Sequence, residues 1–433
     1  MELYDLLNQT QRYISEHYSA ALIDKSKGTE LKAYIGKYLY DTRYTVPGYD
    51  RNSLIERLYC EMAEYSILTK YLKNPDVEEI NINGWDDVAI THLDGHIEKL
   101  KEYFFNPGHA VDVVKKLLQH SGMIIDNATP IAQGHLPNNT RITALKEPIV
   151  DSDRGIAVSI RMLHPARVDR AMLLRSESIS EEMLCFLETC LRYGVSFVVA
   201  GRTSSGKTTL LNSLLSSIPD SKRIYTIESG ARELSLIKRD EYGRVVNNVV
   251  HTLSRHSDNP MHVISQEDLV MAALRFDPDV ICVGEMRDKE AHSAVEASST
   301  DHTVVTTVHG GGGKYAHRRI AFLSQRRFPI DMRISLQQAA LAFPIVVFAH
   351  KLEDNRRKVM DITECIVHDD GELEYRTLYR YAIHSNEYKD GVFSINGEFI
   401  KENAISDNLR QKLMRGGVPE ELLRKFEKGA KTQ

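Results

Sequence analysis

The sequence predicts an α/β protein: a doubly wound domain on a largely parallel sheet, preceded by a smaller α+β unit and a helical amino-terminal extension. Three observations predict it. Apolar runs of strand length at residues 196–200, 223–227, 280–283, 303–308 and 345–348 recur with helical stretches between several of them, the alternation that builds parallel sheets. The first run leads into a glycine-framed turn, Gly201-Arg-Thr-Ser-Ser-Gly206-Lys207-Thr208, and then into the leucine-rich stretch 209–218. Upstream, residues 77–95 carry short alternating runs broken by turn residues, the pattern of an antiparallel hairpin.

In chain order, residues 1–74 read as helical, with Leu54, Leu58, Met62 and Tyr65 at helical spacing and no side chain that suggests chemistry. This extension is expected to serve packing or docking. The α+β unit spans residues 75–163, with strands beginning near Val77 and Asp87, a helix over 107–120 and further strands to Met162. His164-Pro-Ala-Arg-Val-Asp-Arg170 breaks the periodicity and places a linker over 164–178. The second domain, 179–360, opens on a helix with Ser180 as N-cap and Gly194 just past its end. The tail, 361–433, reads as a few strands and a final helix rich in Leu, Lys and Glu.

Composition narrows the class further. The 433 residues are 42% hydrophobic and 27% charged with a net charge of -5. That is enough apolar material for sizeable cores, without the basic excess that would point to nucleic acid as the main ligand. The five cysteines, Cys60, Cys185, Cys190, Cys282 and Cys365, contain no C-x-x-C pair and suit neither a disulfide framework nor a tetracysteine zinc site, so a reducing, cytoplasmic setting is expected. The amino terminus has no apolar core of signal-peptide length, and the runs 195–200 and 343–349 are too short to span a bilayer. No direct membrane span is expected, and any membrane link runs through partners.

The turn at 201–208 carries the chemistry. It matches G-x-x-x-x-G-K-[ST] between an apolar strand and a helix, the context in which this pattern cradles nucleotide phosphates. The expected binding loop is Gly201, Arg202, Thr203, Ser204, Ser205, Gly206, Lys207, Thr208 and Thr209. Backbone N–H groups and the helix start face the phosphates, Lys207 adds positive charge, and Thr208 offers its hydroxyl to Mg²⁺. Such a site also needs an acidic strand end to order metal and attacking water. Val280-Ile-Cys-Val-Gly284-Glu285 supplies one, and with no aspartate before it Glu285 is expected to position water or metal alone. Glu228, ending the run 223–227, is a candidate general base. His302 and His309 flank the run 303–308, and the histidine nearer the phosphates is placed to sense a γ-phosphate.

In succession, the loop 201–208, Thr226-Ile-Glu228, residues 273–288 and residues 302–309 resemble the Walker A, Asp box, Walker B and His box of the secretion ATPases. Within that superfamily of type II/IV secretion ring ATPases, the chain is most similar to the CpaF-type ATPases of tight-adherence (Tad/Flp) pilus systems. The likeness continues upstream through Glu79-Ile-Asn-Ile-Asn-Gly84, Ile125-Asp126, Leu136-Pro137-Asn-Asn-Thr-Arg141-Ile142 and Ser159-Ile-Arg161. The resemblance implies a RecA-like ATPase domain joined to the smaller domain, ATP and Mg²⁺ bound between the two, and a hexamer acting on an inner-membrane platform protein. It further implies that Arg141 and Arg161 reach the phosphates, where guanidinium groups stabilise a transferring phosphoryl group. Hydrolysis would energise pilus assembly or protein secretion at the cytoplasmic face of a membrane machine.

The chain departs from that family pattern in places. Arg202 stands where a small residue is usual, Ser205 where glycine is common, Ser229 where an acid follows Glu228, and Asp301 where glycine precedes His302. Residues 310–313 are a glycine run in place of an Ala-Asn-Ser-like continuation. These bear on turnover more than on nucleotide binding, and they leave open an ATP-binding assembly scaffold with little hydrolysis. A conjugation-related, DNA-stimulated ATPase is the other alternative. No N-K-x-D or T-K-x-D guanine-reading element and no L-S-G-G-Q-like signature is present, and the zinc module of type II secretion and pilus extension ATPases is absent.

Overall fold

The computed structural model describes residues 2–23, 27–119, 121–136, 140–162, 169–230, 232–255, 259–389 and 392–427. Residues 164–168 of the expected linker, 137–139 of the upstream motif, His120 and Gly391 lie outside the described residues. The chain divides into two compact units, Met1–His164 and Pro165–Gln433.

In the first unit, helices α1 (Leu3–His17), α2 (Ser19–Ile23), α3 (Gly28–Thr42) and α4 (Arg51–Ala63) form the amino-terminal bundle. Leu6, Ile14, Leu31, Ile35, Leu54 and Leu58 fill its core. Asp50 caps α4 by accepting from the amides of Asn52 and Ser53 at 2.8 and 2.9 Å. The short α5 (Thr69–Leu72) leads into six strands: β1 (Val77–Gly84), β2 (Asp87–His92), β3 (Ile97–Lys99), β4 (Ile131–His135), β5 (Arg141–Lys146) and β6 (Ile156–Arg161). They pair antiparallel throughout in the order β3-β2-β1-β6-β5-β4. Helix α6 (Pro107–Gln119) buries Val114 and Leu118 in one core with Ile80, Ile90, Ile142 and Ile160. Bundle and sheet are tied through the buried Glu61, which meets Arg57 at 2.7 Å and His109 of α6 at 3.1 Å. Lys116 adds hydrogen bonds to the carbonyls of Met62 and Glu64 at 3.1 and 2.8 Å.

The second unit begins with α7 (Arg170–Arg175) and α8 (Glu181–Arg192) and continues through β7 (Phe197–Gly201), α9 (Lys207–Ser216), β8 (Arg223–Glu228), β9 (Asn248–Leu253) and α10 (Gln266–Ala273). Then follow β10 (Val280–Met286), α11 (Glu290–Ser299), β11 (Thr303–His309), α12 (Lys314–Ser324), α13 (Met332–Ala342) and β12 (Ile345–Lys351). Strands β13 (Arg357–Val367), β14 (Leu373–Lys389) and β15 (Val392–Lys401) and helices α14 (Asp407–Arg415) and α15 (Glu420–Glu427) complete it. All nine strands make one sheet, β15-β14-β13-β12-β7-β11-β10-β8-β9. The six from β12 to β9 run parallel, and β13 to β15 extend the sheet antiparallel.

Both faces of the sheet are covered, so the central strand β7 is buried and apolar at every residue. Phe197 and Val199 of β7 enter a core shared with α8, α9, α14 and α15, while Val198 and Ala200 enter one shared with α10 to α13. This is the expected α/β architecture with an α+β unit before it. Three details differ. Part of the expected linker is α7, capped by Asp169 accepting from the Met172 amide at 2.8 Å and anchored by the buried Leu173. The half-exposed β9, whose mixed sequence Asn-Val-Val-His-Thr-Leu hid it, flanks β8. The tail closes on two helices in place of one, and its strands widen the sheet. Among the described residues no helix is long and apolar enough to cross a membrane.

Candidate nucleotide site

Parallel strands gather their following loops at one edge, and crevices at that edge take ligands. Gly201 ends β7 there, in register with Ala349 of β12 on one side and His309 of β11 on the other. A Cβ on Gly201 would lie 2.2 Å from the Ala349 carbonyl oxygen and 2.5 Å from Ser205 Oγ, so only glycine lets the backbone pass. The loop then turns through left-handed Ser204 (φ 60°) and Gly206 (φ 89°) into α9. Arg202 and Thr203 are exposed, and Thr208 and Thr209 are half-buried in the first turn of α9. Lys207 is 7% exposed and donates from Nζ to the carbonyls of Gly201 and Arg202 at 3.1 and 2.8 Å.

The acids come from adjacent strands, since Ile227 of β8 pairs with Val283 of β10 and Glu228 and Glu285 follow at the same edge. Glu228 is 4% exposed. Its Oε1 accepts from the amides of Glu233 and Leu234 at 2.7 and 2.9 Å, and its Oε2 is buried with no hydrogen-bond partner among the described residues. Burial pushes this carboxyl up to about 7, outweighing the two amides. Glu285 is held from both sides. Oε2 accepts from Arg287 Nη2, and Oε1 lies 2.8 Å from His309 Nε2, an ion-pair distance without hydrogen-bond alignment. Burial lowers the pKa of His309, Glu285 opposes this, and Lys207 and Arg287 add to the lowering. Thr307 steadies the strand end by donating to the Gly284 carbonyl at 2.8 Å.

His302 is a correction. It precedes Thr303 at the amino end of β11 and contacts Thr300 Oγ1 at 3.2 Å, whereas His309 stands at the other end. Seven residues of strand separate the two by roughly 23 Å. A strand has two ends, and only one borders the phosphate loop, so His302 leaves the candidate catalytic set. Arg141 and Arg161 lie in the first unit as cross-strand neighbours on β5 and β6.

The second unit also holds a loop contact that the sequence reading missed. Arg357, opening β13, donates from Nε to the Ser204 carbonyl at 3.0 Å. Its sequence signal was positional: it is the first strand residue after the turn at Asp354 and Asn355 that follows β12.

A phosphate-bearing ligand fits these residues. The loop is closed by glycine at its tightest point, an ammonium sits on its carbonyls, and Ser205 Oγ is buried without a hydrogen-bond partner among the described residues. Residues 61–365 match the family model described as type II/IV secretion system protein. The chain belongs to this family.

Among its relatives, an uncharacterized protein of Methanocaldococcus jannaschii is 26% identical over 281 residues, which cover 65% of this chain and 49% of that one. The type IV secretion system protein PtlH of Bordetella pertussis is 31% identical over 184 residues, 41% of this chain and 52% of that one. This secretion-family chain thus spans about half the length of these curated relatives. The ATPase DotB of Legionella pneumophila aligns in structure at 18% identity, covering 82% of this chain and 84% of that one with a TM-score of 0.48.

Proposed function

We propose that this secretion-family protein is a Mg²⁺-dependent ATPase, cytoplasmic and working as a hexameric ring. It energises pilus assembly or protein secretion through an inner-membrane platform protein, in a tight-adherence pilus system. The observation that carries the reading is the meeting of the loop 201–209 with Glu228, Glu285 and His309 at one edge of one parallel sheet. Family membership supports secretion as the setting.

Each residue then has a task. Loop amides and Lys207 bind the phosphates, with Lys207 exchanging the carbonyls of Gly201 and Arg202 for phosphate oxygens. Thr208, with Glu285 beyond it, would hold Mg²⁺, which when bound neutralises charge on the β- and γ-phosphates. Glu285, steadied by Arg287 and His309, orients the attacking water. Glu228 accepts its proton, since a carboxyl with a pKa of about 7 is half ionised at neutral pH and still basic enough to take one. Arg141 and Arg161 stabilise the charge that develops on the transferring group.

Phosphate release by the purified chain, measured with its molar mass by light scattering, tests the reading. A hexamer whose turnover depends on Mg²⁺ and is abolished in Lys207→Ala is expected. Equal rates for wild type and Lys207→Ala would replace the motor with a nucleotide-binding scaffold.

A further inference from the structure

We propose that Arg357 is a positioning residue of the phosphate loop: by holding the Ser204 carbonyl, it sets the Ser204–Ser205 peptide so that the Ser205 amide faces the bound phosphates. This rests on the nucleotide reading above and adds a residue from the antiparallel extension of the sheet.

Sheet register brings Arg357 to the loop. Gly201, Ala349 and Val359 form one row across β7, β12 and β13. Because β13 runs antiparallel to β12, Arg357 lies two residues past that row toward the loop, about 7 Å on and on the same face as Val359. Its stem follows the loop, since a Cβ on Gly206 would lie 3.5 Å from Arg357 Cδ, and its Nε reaches the Ser204 oxygen at 3.0 Å. The adjacent Arg356 is paired with Asp354 at 2.6 Å.

Peptide geometry gives the contact its consequence. In a trans peptide the carbonyl and the following N–H point in opposite directions. With the Ser204 carbonyl turned onto Arg357, the Ser205 N–H points to the inside of the loop. There it lies 3.4 Å from the Arg202 oxygen, the same carbonyl that Lys207 Nζ meets at 2.8 Å. Amide and ammonium therefore converge, and a bond as long as 3.4 Å is readily exchanged for a phosphate oxygen. Ser204 is a non-glycine residue in the left-handed region, a conformation that persists where the surroundings hold it. A left-handed residue followed by inward N–H groups is the geometry of a backbone anion nest.

The test uses the full chain as wild type, Arg357→Met, Arg357→Lys and Lys207→Ala. Arg357→Met keeps the stem along Gly206 and removes the donor. Affinities for Mg-ADP and Mg-ATP are measured by titration calorimetry, KM and kcat by phosphate release, and fold by thermal melting. Arg357→Met is expected to weaken ADP and ATP alike by about tenfold, the scale of one hydrogen bond, and to raise KM for ATP more than it lowers kcat. Arg357→Lys, which keeps a donor, recovers most of the loss. If Arg357→Met does not fold, Arg357→Leu, which also lacks the donor, carries the same KM-against-kcat test.

Unchanged affinity in Arg357→Met overturns the proposal, as does a loss confined to ATP with a collapse in kcat, which would place the group on the γ-phosphate. A wild type that binds neither nucleotide removes the nucleotide reading itself. Binding that is lost in Lys207→Ala but kept in Arg357→Met removes the positioning role alone.

Discussion

Arg141 of β5 and Arg161 of β6 stand directly opposite each other in the antiparallel ladder. Residues so paired have Cβ atoms about 5 Å apart on one face of the sheet. Their neighbours Ile142 and Ile160 are also paired and fully buried, so the two guanidinium groups share the face away from the core. Glu79 of β1 continues the row beside Arg161. In the proposed role these two guanidinium groups stabilise charge on the transferring phosphoryl group. Arg141→Ala and Arg161→Ala should therefore each lower kcat by about 10- to 100-fold, with folding stability within about 1 kcal/mol of wild type. Steady-state kinetics together with thermal melting checks this, and normal kinetics in both variants would remove the pair from the catalytic set.

Glu285 sits between Arg287 and His309, so its orientation is fixed while its charge is partly balanced. Glu285→Gln keeps the shape and removes the charge. It should bind ATP as well as wild type does and lose about 10²- to 10³-fold in kcat. His309→Ala leaves the carboxylate but removes one of its supports, so a smaller loss of about tenfold is expected. Single-turnover hydrolysis with separately measured ATP affinity distinguishes the two, and a Glu285→Gln variant with a normal rate would exclude Glu285 from water positioning.

The placement of the candidate site in the second unit was legible because local pattern and global fold agree there. A phosphate loop needs its strand, glycines and helix contiguous in sequence, and all of them lie within residues 197–216. Glu228, Glu285 and His309 were legible for a related reason: each ends an apolar strand, and parallel strands present their ends together. The same argument misread His302, because an apolar run does not say which of its ends faces the site. β9 was hidden because an edge strand with half-exposed residues lacks the apolar run of a buried one. Arg357 was hidden because its role depends on the register of β12 and β13, which sequence spacing does not specify.

Gly201 offers a test of the loop's backbone that leaves its polar groups in place. A methyl group there would meet the Ala349 carbonyl oxygen at 2.2 Å, and because that atom is backbone, β7 or β12 has to move. Gly201→Ala is expected to cost about 2–4 kcal/mol of stability, the range of overpacking and displaced backbone, and to weaken nucleotide binding along with it. Chemical denaturation and ADP titration check the pair. A variant that binds ADP normally would mean that the strand absorbs the shift without moving the loop.

Glu228 links activity and stability through one proton. Its carboxyl is pushed from an ordinary 4.5 up to about 7 by burial. As a general base it must be ionised, so kcat/KM should rise with pH to a plateau above about 7, and Glu228→Gln should lose that limb together with most of the turnover. Stability runs the other way. Between pH 4.5 and 7 the unfolded chain has released this proton while the folded chain still holds it, so the contribution of Glu228 falls as pH rises and levels off above 7. The stability of Glu228→Gln relative to wild type should accordingly improve by up to about 3 kcal/mol from pH 4.5 to pH 8. Urea denaturation of both proteins across that range measures it. A constant difference would mean that the folded-state carboxyl titrates near its ordinary value, and Glu228 would then be ionised in the resting site well below neutral pH.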